Sequence, residues 1–137
     1  MDRQRIHIDE YGWVIDCFYS YVEPDVDTII QELREAGCEG NDLYEAIDTL
    51  TSDQPNQGFT YSNNRSRRTI VVIGHTDSIP EFFNTWNHEK EHVVKHIVKA
   101  NDVDPYSEEA AYLNGFISQR MFHVVSDYLC KCTGEYA

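Results

Sequence analysis

The run His88-Glu89-Lys90-Glu91-His92 constrains this chain more than any other feature. It spells HExxH and lies within a stretch of helical periodicity. Helical residues four apart stand one turn above each other on the same face. Two imidazoles so placed can each give a ring nitrogen to one zinc ion. Glu89, next to them, can take a proton from a water on the metal. Two neutral nitrogen ligands leave room for a third ligand and for an open position. Average composition produces this spelling by accident about once in a few hundred chains of this length, so the weight rests on what surrounds it.

The surroundings are those of a helix pair. Ser78-Ile79-Pro80-Glu81 has the form of a capping box and opens a helix running to about residue 100. Phe82, Phe83, Trp86, Val93, Val94 and Ile97 give that helix an apolar side and leave His88 and His92 on a bordering face. A second helix is predicted just beyond, with Asp104 as its cap and Pro105 in the first helical position, where no backbone donor is needed. A short loop around residues 101–103 makes the two helices an antiparallel pair. The second carries Leu113, Phe116, Ile117, Met121, Val124, Val125, Tyr128 and Leu129 toward the core.

Over roughly residues 58–129 this arrangement resembles the gluzincin class of zinc metallopeptidases. In that class a Glu on the following helix completes the metal site, commonly with Asp or Asn four residues later and a small residue seven later. Glu108 meets the second condition with Gly115, which lets the helices approach closely, whereas Glu109 is followed at seven by Phe116. The resemblance therefore implies a zinc site of His88, His92 and Glu108, with Glu109 as the alternative third ligand and Glu89 as the general base. Tyr112 stands where the class has Asp or Asn, which removes the usual partner of a ligand histidine. The resemblance also implies an extended peptide or protein substrate, lying beside an edge strand supplied by residues 69–73 or by their hairpin partner.

Other histidines fit less well. His88, His92 and His96 form an i, i+4, i+8 series, but about 12 Å of helical rise separates the first from the last. Zinc–nitrogen bonds of about 2 Å cannot span that, so His96 reads as a rim or supporting residue. His75 and Tyr106 are loop positions that could steady an oxyanion, and His123 lies four turns beyond Glu108.

The rest of the chain reads as one α+β domain over residues 1–137, a small zincin-like fold. A strand at 13–19 precedes a helix that stops at Ala36-Gly37 and a second helix after Asn41. Strands at 59–61 and 69–73 then form a hairpin, and the two long helices follow. Residues 1–10 are polar and carry no strand in this reading. The expected architecture is a three-stranded sheet packed on helices, with the active-site helix pair antiparallel.

Charge and cysteines narrow the function further. The net charge of −13 is uneven: residues 1–57 hold fourteen acids against three bases, residues 58–100 four against six. No basic face large enough to replace phosphate counterions exists, which argues against a nucleic-acid partner. Arg65, Arg67 and Arg68 read as a solubilising cluster in a turn. Cys17, Cys38, Cys130 and Cys132 contain no CxxC, the first ten residues carry no signal-peptide pattern, and no run is long enough to cross a membrane. Reduced thiols in a cytoplasmic protein, with no membrane partner, are the simplest reading. The expected function is a small zinc-dependent peptidase. The alternative is a catalytically silent, zinc-stabilised interaction module of a bacterium or phage, with its acidic first half as the binding surface for a basic partner.

Overall fold

The computed structural model describes residues 1–129. Its sheet has four strands, not three, and overturns the three-stranded expectation. The extra strand is β1 (Asp2–Ile8), paired antiparallel with β2 (Trp13–Tyr19). Its sequence DRQRIHI hides a two-residue period: Ile6 and Ile8 point into the core while Arg3, Arg5 and His7 face outward. Only two apolar side chains are needed, because β1 is an edge strand covered on one face. A single 3-10 turn at Asp9–Tyr11 closes the hairpin, and Gly12 takes the left-handed φ of +59° that the reversal requires.

Between β2 and the next strand lie two helices, α1 (Val26–Glu35) and α2 (Gly40–Leu50), then β3 (Gly58–Asn63) and β4 (Arg68–Ile73). The strand order is β1-β2-β4-β3, with β4 parallel to β2 and β3 antiparallel to β4. The sheet is therefore mixed, and β3 is its second edge. The central strands are buried on both faces, as their nearly unbroken apolar sequences require. Phe18, Ile70 and Val72 pack with Ile29 and Leu33 of α1 and Ala46 and Leu50 of α2. On the opposite face Ile15, Cys17, Tyr19, Val71 and Ile73 meet the two long helices, α3 (Ile79–Ala100) and α4 (Glu108–Leu129).

Helix α3 starts where its sequence says it should: the Ser78 side chain accepts a hydrogen bond from the Glu81 backbone N–H at 3.2 Å. Helix α4 starts three residues later than expected. Ser107, not Asp104, is the cap, its Oγ accepting from the Ala110 N–H at 3.2 Å. Asp104 instead folds a turn, accepting from the Tyr106 N–H through Oδ1 at 2.9 Å. The helices are antiparallel, with Trp86 Nε1 donating to Met121 Sδ and Lys90 Nζ to Ser118 Oγ.

Two of the three turn arginines, Arg67 and Arg68, are structural, while Arg65 is exposed. Arg67 donates to Tyr11 O and Asn101 Oδ1 and lies over the Trp13 ring, while Arg68 donates to Asp16 and Glu32. Among the described residues no helix is long and apolar enough to cross a membrane. Cys17 and Cys38 are buried free thiols, and burial pushes them up to about 12 and about 11. Cys130 and Cys132 lie outside the described residues.

Candidate metal centre

Helix α3 buries Phe82, Thr85, Trp86, Glu89, Lys90, Val93, Ile97 and Val98 and leaves His88 and His92 exposed. Their Nε2 atoms stand 3.2 Å apart and the ring centroids 4.8 Å apart. A tetrahedral zinc with bonds of 2.0–2.1 Å separates two ligand nitrogens by about 3.3 Å. The two imidazoles thus converge at a spacing that fits zinc.

Glu89 lies beside them but belongs to the interior, only 6% exposed. Its carboxylate accepts a hydrogen bond from Thr60 Oγ1 on β3 at 2.9 Å. Gly58, one pleat away, makes that approach possible. A Cβ there would meet Val72 O at 2.7 Å and Glu89 Cγ at 3.1 Å. His88 and Glu89 share a polar cleft of about 310 Å³ whose other walls are Asn56, Gln57, Asn84 and Thr85. The cleft opens at the β3 edge of the sheet, so β3, not residues 69–73, is the edge strand beside the histidine helix.

His96 faces the same strand. Its Nδ1 is 2.8 Å from Ser62 Oγ, which is 2.7 Å from Thr69 Oγ1, which accepts from the Trp13 indole N–H at 2.8 Å. Burial, and then the neighbouring His92 and Lys99, lower the His96 pKa below 6.5. This relay anchors His96 and explains its separation from the exposed pair.

The expected third ligand does not join the pair. Lys90 points at α4, and two residues along a helix is a rotation of about 200°, so His88 and His92 point almost directly away from α4. The register adds to this. With Trp86 opposite Met121 and Lys90 opposite Ser118, Glu108 is level with the last turn of α3, roughly 10 Å along the axis beyond His92. Glu108 instead borders grooves with Val98 and Lys95 on one side and Tyr112 on the other. Glu109 accepts from the Tyr11 hydroxyl at 2.6 Å. Gly115 does not serve close helix packing: a Cβ there would meet nothing within 4 Å. The residues that meet α3 are Ser118 and Met121, one face around from Gly115.

Among the described residues no group of three His, Cys, Asp or Glu side chains is arranged to hold a metal ion. His75 lies in a separate cavity with Tyr21 and Asp53, Tyr106 is 95% exposed, and His123 lines a surface hollow with Trp86 and Phe122. Thr60, Gly58 and Ser62 are the site residues that sequence reasoning missed. Their signal was the alternation of small and polar residues at 58, 60 and 62, one face of a strand. Comparison with protein-family models yields no match, and comparisons with curated proteins and with solved structures yield none either.

Proposed function

We propose that this protein is a small zinc-dependent hydrolase of extended peptides, with His88 and His92 holding the metal and Glu89 acting as general base. The observation that carries the reading is the convergence of the two Nε2 atoms to 3.2 Å, with His88 lining the same cleft as the Glu89 carboxylate. Zinc, when bound, supplies Lewis acidity toward a carbonyl and acidifies a water. Glu89 takes the proton of the attacking water and returns it to the leaving amine. Thr60 holds Oε1 of Glu89 by its hydroxyl, which leaves Oε2 for that transfer. The open edge of β3 offers backbone donors and acceptors to an extended substrate.

A second reading follows from a specific observation: among the described residues no third protein ligand converges on the histidine pair, one fewer than a catalytic zinc site takes. The alternative is a catalytically silent interaction module in which the pair binds zinc without turning over a substrate. Zinc content and turnover of a peptide library separate the two readings, using wild type, His88→Ala, Glu89→Gln and Glu108→Ala. We expect zinc in wild type and Glu89→Gln but not in His88→Ala. Hydrolysis should fall by about two to four powers of ten in Glu89→Gln. Zinc affinity should be nearly unchanged in Glu108→Ala. Zinc without turnover in wild type supports the module, and equal zinc content in wild type and His88→Ala overturns both.

A further inference from the structure

A cavity of about 730 Å³ lies away from the histidines, between the β1–β2 turn and α4. Its floor is apolar, made by Ile8, Tyr11, Leu113 and Phe116. On α4 the stripe Glu108, Tyr112, Phe116 and Arg120 runs along it at four-residue spacing. Tyr112 leaves 75% of its surface exposed on this wall. A concave apolar surface with an uncovered aromatic at its centre is the usual form of a docking site for another chain.

The charges around the groove select the occupant. Asp9, Glu10 and Glu108 stand on its rim, exposed, and none of them forms an ion pair among the described residues. Glu109 is also present, but its carboxylate already accepts a hydrogen bond from the Tyr11 hydroxyl, which ties the two walls together. The one strong cation is Arg120 at the far end, its guanidinium lying 4.9 Å from the centroid of Phe116. Acids therefore dominate the end nearest the turn, within a chain of net charge −13.

We propose that this groove docks a cationic amphipathic segment of a partner protein. One large apolar side chain of the segment seats between Tyr112 and Phe116, and a Lys or Arg reaches Glu10 and Glu108. The site is independent of the histidine pair and of any hydrolytic role.

The test uses the full chain and a fluorescent peptide built of lysine and leucine in helical alternation, with a glutamate–leucine peptide as its opposite. Binding is read by anisotropy for wild type, for Glu10→Lys with Glu108→Lys, and for Tyr112→Ala. The control is Glu45→Lys with Asp48→Lys, an equal charge change on the exposed face of α2. All four substituted acids are exposed, so circular dichroism should show every variant folded, with the groove double variant less stable by up to about 1 kcal/mol because Glu108 opens α4. We expect saturable binding of the lysine–leucine peptide only. It should weaken at least about tenfold in the groove double variant and in Tyr112→Ala, and less than about twofold in the control. Equal weakening in groove and control variants would reduce the effect to overall charge and overturn the proposal. Absence of saturable binding to wild type would overturn it as well.

Discussion

At the scale of single residues, two glycines carry opposite consequences. Gly58 sits where β3 must let Glu89 lie against the sheet, with Val72 O only 2.7 Å from an added Cβ. Gly58→Ala should destabilise the fold by about 1–3 kcal/mol through forced displacement of the strand or of Glu89. Gly115, in the middle of α4, faces open space. Gly115→Ala should stabilise by about 0.5–1 kcal/mol, since helix propensity improves and nothing is struck. Urea unfolding of both variants checks the pair. Destabilisation by Gly115→Ala would restore its packing role and, with it, the expectation that Glu108 faces α3. Thr60 belongs to the same scale. Its hydroxyl is what gives the Glu89 carboxylate one orientation in the cleft.

Between elements, the junction of sheet and α1 is held by charge. Asp16, fully buried on β2, accepts from Arg5 and Arg68, and Arg68 also pairs with Glu32 of α1, which Arg3 reaches too. The two arginines on Asp16 are unequal: the Arg5 side chain is 49% exposed, that of Arg68 17%. Arg68→Met should cost about 3 kcal/mol or more, because it leaves a buried carboxylate short of its main partner. Arg5→Met should cost less, about 1–3 kcal/mol, because it takes away the Arg5 hydrogen bond to Oδ1 of the buried Asp16 while Arg68 still pairs the charge. The network also sets an acid limit. Burial alone pushes the Glu32 carboxyl up, but hydrogen bonds from Arg68 and Arg3 outweigh this and hold it below 4.5. A carboxyl lowered on folding contributes stability that is complete above its unfolded value and disappears as pH falls through its folded value. Unfolding free energy should therefore drop below about pH 4.5, and the drop should be shallower in Arg68→Met, where Glu32 has lost one donor.

For the whole molecule, metal and fold should be linked by mass action. If His88 and His92 bind zinc in the folded chain alone, zinc at one hundred times its Kd adds about 2.7 kcal/mol of stability. Thermal melts should rise with added zinc, fall back with chelator, and not respond in the variant lacking both histidines. A rise that persists without them would place the metal elsewhere on this acidic chain. The two proposed surfaces also sit at opposite edges of the sheet. The histidine cleft lies at β3 and the aromatic groove beside the end of β1, so occupancy of one leaves the other accessible.

Periodicity alone determined the helices, the central strands and the converging histidine pair, because each depends on spacing along one segment; capping placed the start of α3 but not that of α4. The i, i+4 relation of His88 and His92 holds wherever their helix packs. The Ser78 cap and the apolar runs of β2 and β4 are likewise local. Three matters were decided only by the tertiary structure. The polar first segment became a strand because β2 offered a free edge and needed just Ile6 and Ile8 from it. The parallel placement of β4 beside β2 moved β4 to the centre and left β3 as the edge beside Glu89. The rotational phase and register between α3 and α4 turned Lys90 toward the second helix and the histidines away, so that Glu108 is carried to the far end of the pair. Such a phase arises from the packing of two surfaces against a common sheet, and no spacing within either helix encodes it.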